Sequence, residues 1–295
     1  MWKLNTKIFK YTAIVLVLGV FLGAGYFMVF YKNFGDPRVA LEASTDFTYT
    51  QAFLQNNSAE KPVLSTAEVP AVKIPIIIYH SVRPHIPGES IMQDRFDITP
   101  ELFEEQLIYL RDHKYTTISM DEVARDTKEG TTTPTQKPVA LTFDDGLVNQ
   151  YQYAFPLLKK YGMTATFYVY TNPINRGNKR YLSWDEVREM STTGMTIGSH
   201  SLSHSLFKNS TPADIKKEIS ESKKVIEDNI KKPVTDFAQP FGYTSPEIET
   251  VIKEAGYTTA RGIPWGTLHS SKDLFHLSGY FTSDNFKDFV RIVGK

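Results

Sequence analysis

Two aspartates stand side by side at positions 144 and 145 in the stretch LTFDDG (141–146), at the end of an apolar run. Adjacent carboxylates repel, so the pair calls for a reason. Asp-Gly commonly starts a turn, which is one reason; the other is a site where one carboxylate holds a cation and its neighbour handles a proton. Further along, GSHSLSH (198–204) carries His200 and His204, four residues apart. On a helical turn that spacing brings both imidazoles to one side. Two histidines plus a carboxylate suit a Zn²⁺-like ion and leave positions open for water and substrate. If Asp145 is the third ligand, Asp144 is free to act as general base. Such an ion lowers the pKa of a bound water from about 15.7 toward 7, within reach of a carboxylate. His80, directly after IPIIIY (74–79), is a candidate acid for a departing amine.

Elements must bring these residues together. From Val72 onward strand-like and helix-like segments alternate: strands at 74–79, 139–143, 164–170, 195–199, 234–238 and 257–262, helices at 101–113, 153–162, 183–190, 211–230 and 245–256. Ser183 and Thr211 are expected N-caps, Pro212 sits in a first turn, and Gly162 and Gly256 are stops. Alternation of this kind implies a parallel sheet covered by helices, and about seven units fit a closed or nearly closed α/β barrel better than an open sheet. His80, the aspartate pair, the histidine pair and Gln-Pro-Phe-Gly (239–242) each follow a strand, and the C-terminal ends of strands are where such barrels assemble sites. No GxGxxG or GxxxxGK[ST] follows any strand, which argues against nucleotide-binding folds.

Composition narrows the classes further. Of 295 residues, 33 are Lys or Arg and 33 are Asp or Glu, so no basic surplus points to nucleic acid. Cysteine is absent, which leaves any metal to His, Asp or Glu. Residues 1–10 are basic, and 11–31 form a charge-free run long enough to span a bilayer. The expectation is an uncleaved, N-inside transmembrane signal anchor, then a polar linker over 32–71, with a catalytic domain over 72–295 held on the extracytoplasmic side of the cell membrane.

Taken together, TFDDG (142–146), SHSLSH (199–204) and the early IIIYHS resemble the polysaccharide deacetylases, the NodB-homology or carbohydrate esterase family 4 domain, over residues 74 to 290. The placement of IIIYHS resembles the branch whose last motif, with its catalytic His, has moved to the N-terminus, which includes exported deacetylases of poly-β-1,6-N-acetylglucosamine. The resemblance implies a deformed (β/α)₇ barrel, a Zn²⁺-type metal (Co²⁺, Ni²⁺ or Mn²⁺ being alternatives), and hydrolysis of N-acetyl groups on an acetylated glycan. By matching position, Asp144 is the base, Asp145, His200 and His204 are the ligands, His80 is the acid, and the Phe241 N–H is an oxyanion donor. His276, in LFHLSGYF, is the rival for the acid. The family's third motif often opens with an Arg that orients the base, where this chain has Ala238; an Arg often found after the last strand is also missing. Trp265 is the candidate lining of an acetyl pocket. An O-acetyl esterase and a non-catalytic glycan-binding protein on the same scaffold are the other readings; the oligomeric state is open.

Overall fold

The apolar runs of the sequence pack as parallel strands in a computed structural model, which describes residues 70–89, 96–132, 137–263, 265–282 and 284–294. The expected anchor at 11–31 and nearly all of the expected linker lie outside these residues. Among the described residues no helix is long and apolar enough to cross a membrane.

In chain order the elements are β1 (Ala71–Lys73), β2 (Ile76–Tyr79), β3 (Ser81–Val82), β4 (Asp97–Ile98), α1 (Pro100–Asp112), β5 (Tyr115–Thr117), α2 (Met120–Glu129) and β6 (Lys137–Phe143). A π-helical turn (Gln150–Ala154) runs into α3 (Phe155–Tyr161), followed by β7 (Thr166–Val169), α4 (Thr171–Asn175), α5 (Trp184–Thr192) and β8 (Thr196–Ser199). Then come α6 (Pro212–Ile230), β9 (Asp236–Ala238), α7 (Pro246–Glu254), β10 (Thr259–Arg261), β11 (Leu268–Ser270), β12 (Tyr280–Phe281) and α8 (Phe286–Val293).

Helix starts are written locally. Thr99, Ser119, Ser183, Thr211 and Ser245 each accept a backbone N–H of their own first turn. Ser119 with Glu122 and Ser183 with Glu186 form reciprocal capping boxes, which satisfy two orphan donors at each end.

The sheet runs β10-β9-β8-β7-β6-β2-β12, with β5 on the N-terminal half of β6. Every pairing in it is parallel, so helices must carry the chain back between strands. The sheet curls but its rim is not a complete ladder. One segment spans the opening: Leu277 bridges Arg261 of β10, and three residues later β12 pairs with β2. The deformed, closed or nearly closed barrel expected from about seven units is present as a curled parallel sheet with a strap across its opening, because β10 and β12 are too short to pair along their length. An antiparallel ribbon, β1 with β11, lies outside it, and β1 begins one residue inside the expected linker.

Beneath the strand ends the core is aromatic. Phe143 stacks between Tyr79 at 4.9 Å and Phe167 at 4.6 Å, all three fully buried. Each such ring contributes about 1.5–3 kcal/mol by burial. Tyr79 and Phe143 immediately precede His80 and Asp144, so both polar residues stand on a rigid floor.

Candidate active site

The strand ends of β2, β6, β8, β9 and β10 bring the candidate residues to one end of the sheet. After β6, Asp145 and Gly146 both take left-handed backbone (φ 74° and 66°), which swings the Asp145 side chain away from that of Asp144. A Cβ on Gly146 would lie 2.9 Å from a Val169 methyl, so this turn needs glycine for space as well as conformation. The bland and the sharp explanations of Asp-Asp-Gly thus hold together: the turn is what separates the two carboxylates.

His200 and His204 converge with Asp145, but through a left-handed turn and not through the helical turn their spacing suggests. Ser201 (φ 73°) and His204 (φ 59°) are both left-handed, and the Ser201 hydroxyl accepts the His204 N–H. Glu218 on α6 explains why no helix forms. Its carboxylate accepts the N–H groups of Leu202 and Ser203, each at 2.9 Å, and the Ser203 hydroxyl at 2.5 Å. Of the six non-glycine residues with positive φ among the described residues, four are Asp145, Ser201, His204 and Phe241. Backbone strain is concentrated where the chemistry is expected.

The donor geometry passes a test for a cation. Asp145 Oδ1 lies 3.7 Å from His200 Nε2 and 3.5 Å from His204 Nε2, and all three donor atoms fall within 4.8 Å of one another. Ligands about 2.1 Å from a tetrahedral ion sit about 3.4 Å apart, close to these separations. His200 Nδ1 is 2.7 Å from the Ala238 carbonyl, so that nitrogen carries the proton and Nε2 offers its lone pair to the cluster. Burial, then the neighbouring His200, pushes the His204 pKa down to about 4, which keeps it neutral as a ligand must be. Asp145, His200 and His204 form the one such group among the described residues.

Asp144 faces the other way, toward a residue that sequence reasoning missed. Arg261, at the end of β10 and 2% exposed, pairs its guanidinium with Asp144 Oδ1. Burial alone would raise the Asp144 pKa, but Arg261, His200 and His80 outweigh it and hold it at about 2. The arginine absent from position 238 is supplied from the next strand, since Arg261 and Ala238 are register partners on β10 and β9. Its guanidinium lies over the Tyr168 ring, 5.2 Å from the centroid. That ring rests against Gly198, where a Cβ would approach it to 2.5 Å. The only signal in the sequence was an arginine within a strand pattern otherwise suited to burial.

His80 Nε2 is 3.9 Å from Asp144 Oδ2, with its ring 4.7 Å from Phe96 and 5.6 Å from Phe281. His276 has both nitrogens engaged elsewhere, Nδ1 3.0 Å from Glu249 and Nε2 3.4 Å from Asp273. Phe241 is left-handed (φ 57°) in the turn after β9, and its ring stands 4.6 Å from that of His204. Trp265, the candidate lining of an acetyl pocket, is 77% exposed and has its ring 6.4 Å from that of Tyr280.

Comparison with known proteins finds likeness to deacetylases in sequence and in fold. Residues 131–260 match the family model Polysaccharide deacetylase. The protein YxkH of Bacillus subtilis (strain 168), named for the same activity, is 32% identical over 194 residues, 64% of each chain. A poly-beta-1,6-N-acetyl-D-glucosamine N-deacetylase of Staphylococcus aureus (strain MSSA476) is 30% identical over 174 residues, 55% of this chain and 59% of that one. The chain thus spans less than two thirds of the length of either relative. Among solved structures, the Streptococcus pyogenes deacetylase PplD in complex with acetate superposes with a TM-score of 0.71 at 27% identity, over 75% of this chain and 98% of that one.

Proposed function

We propose that this chain, whose residues 131–260 match the Polysaccharide deacetylase family model, is a metal-dependent hydrolase that removes N-acetyl groups from an N-acetylglucosamine polymer. The observation that carries this reading is the convergence of Asp145, His200 and His204 with Asp144 held on Arg261 and His80 at 3.9 Å. The N-acetyl preference is supported by the likeness to the staphylococcal N-deacetylase. Residues 11–31 would tether the enzyme to the outer face of the membrane.

Asp145 Oδ1 and the Nε2 atoms of His200 and His204 would hold a Zn²⁺-type ion. When bound, such an ion polarises the acetamide carbonyl and makes water acidic enough to deprotonate near neutrality. The remaining work falls to this chain's own groups. Asp144, kept ionised and oriented by Arg261, takes the proton of the water that adds to the carbonyl carbon. The Phe241 N–H, in the turn after β9, would stabilise the developing oxyanion. His80 Nε2–H gives its proton to the amine nitrogen as the C–N bond breaks, which yields acetate and a free amine. Phe96 and Phe281 flank the His80 ring and restrict its rotation.

The test is acetate release by the purified protein from poly-β-1,6-N-acetylglucosamine oligomers, peptidoglycan and O-acetylated xylan, with and without chelator. Release from the first, lost on chelation and in Asp144→Asn while that variant still binds metal, is the expected result. Parent-rate release by Asp144→Asn would overturn the assignment of the base.

A further inference from the structure

We infer that Gln150 is a positioning residue that sets the separation of the acid-bearing and base-bearing strands. The inference rests on the deacetylase reading of His80 and Asp144 given above.

The parallel ladder between β2 and β6 reaches its end at these two residues. Its final rung is the Asp144 N–H donated to the Tyr79 carbonyl at 2.9 Å. Beyond it the carbonyls of His80 and Asp144 lie close together, and two carbonyls have no donor to share. The Gln150 side chain supplies one. Its amide nitrogen lies 2.6 Å from the His80 oxygen and 2.5 Å from the Asp144 oxygen, so both of its hydrogens are spent on the two backbones. Because both partners are carbonyls, only the NH₂ end of the amide can face them. Gln150 is fully buried, so water does not compete for these bonds.

A specific backbone feature brings the amide there. Gln150 opens the π-helical turn, with its carbonyl accepting the Phe155 N–H five residues on. Pro156, just inside α3, has no N–H to give to residue 152, so the turn before it is not drawn into an ordinary α-helical register. Asn149 at the same turn donates to the Ser81 hydroxyl at 2.7 Å. Consecutive side chains therefore grip consecutive residues, Ser81 and His80. The His80 ring is already flanked by Phe96 and Phe281, and the Asp144 carboxylate by Arg261. What is left to set the 3.9 Å between Nε2 and Oδ2 is the distance between the main chains, and Gln150 spans it.

Gln150→Met keeps the length of the side chain and removes both hydrogens. Gln150→Glu keeps the shape and sets oxygen against oxygen. In the full-length protein both are expected to lower kcat for acetate release about tenfold or more, as angstrom-scale misplacement does, with KM and metal affinity unchanged. In a His80→Ala background the same substitutions are expected to cost less than about twofold, because a misplaced acid cannot matter once the acid is gone. Equal losses in both backgrounds, or no loss in the parent, would overturn the inference. A crystal structure of Gln150→Met reads the proposal without reference to catalysis. A widened gap between the His80 and Asp144 main chains supports it, and an unchanged gap refutes it even if acetate release falls. Failure of the parent protein to release acetate from any glycan would count against the proposed function and leave that structural readout standing.

Discussion

Removing the Arg261 guanidinium should destabilise the protein more than any surface substitution, and moving it one strand over should repair the damage. Arg261 and Asp144 are 2% and 5% exposed, so solvent screens the pair little. Asp144 sits at about 2 despite its burial, against an ordinary 3.8. That difference corresponds to a net preference for the ionised form on the order of 2 kcal/mol. Arg261→Met forfeits the attraction and leaves the desolvation cost behind, and breaking a buried pair in this way costs roughly 3–5 kcal/mol. For a domain of this size the loss converts to a fall in Tm of about 6–20 °C, read by circular dichroism melts in chelated buffer. Acetate release should drop about 100-fold, since a general base that is no longer oriented gives up much of its contribution. The relocation is Ala238→Arg with Arg261→Ala. Register partners on parallel strands point their side chains to one face, so the new guanidinium starts from the neighbouring position. The double variant should recover most of the lost Tm and come within about tenfold of parent activity. A fall in Tm under about 2 °C in Arg261→Met would refute the reasoning, because the buried charge would then have found another partner.

Glu218→Ala frees the N–H groups of Leu202 and Ser203 and should let the left-handed turn between the histidines relax. Zn²⁺ affinity measured by calorimetry on chelator-stripped protein is expected to weaken about 10–100-fold, and an unchanged Kd would count against the turn as the device that aims both rings. Asp236 is fully buried at the start of β9 with Oδ1 unpartnered, and burial, then Asp121, raises its pKa well above the ordinary carboxylate value. The folded state therefore holds a proton that the unfolded chain releases above about pH 4, so stability falls as pH rises. Asp236→Asn, neutral in both states, should match the parent near pH 4 and exceed it by up to about 1.4 kcal/mol for each pH unit above that, until the folded-state pKa is passed. Urea unfolding at pH 4, 6 and 8 checks this, and a gap independent of pH would show that Asp236 is ionised in the fold.

Much of the protein was legible along the chain because the relevant physics is local. Caps at Ser183 and Thr211 act within one turn, apolar runs declare strands, and an aspartate pair or two histidines four apart can be read by eye. The polar residues at the ends of successive strands were enough to place His80, Asp144, Asp145, His200 and His204 at one end of the sheet. What the sequence did not show depends on which strands lie side by side and in what register. Arg261 meets Asp144 across 117 residues only because the curled sheet brings the end of β10 to the end of β6. Gln150 binds His80 across 70 residues only because a π-helical turn aims it between two strand ends. The His-x-x-x-His spacing even suggested the wrong conformation, since the turn that joins the rings is held by Glu218, fourteen residues downstream. Residue type and short spacing named the candidate ligands and the candidate base; tertiary packing chose the partners that orient them, because a buried charge or carbonyl takes whichever donor the fold sets beside it.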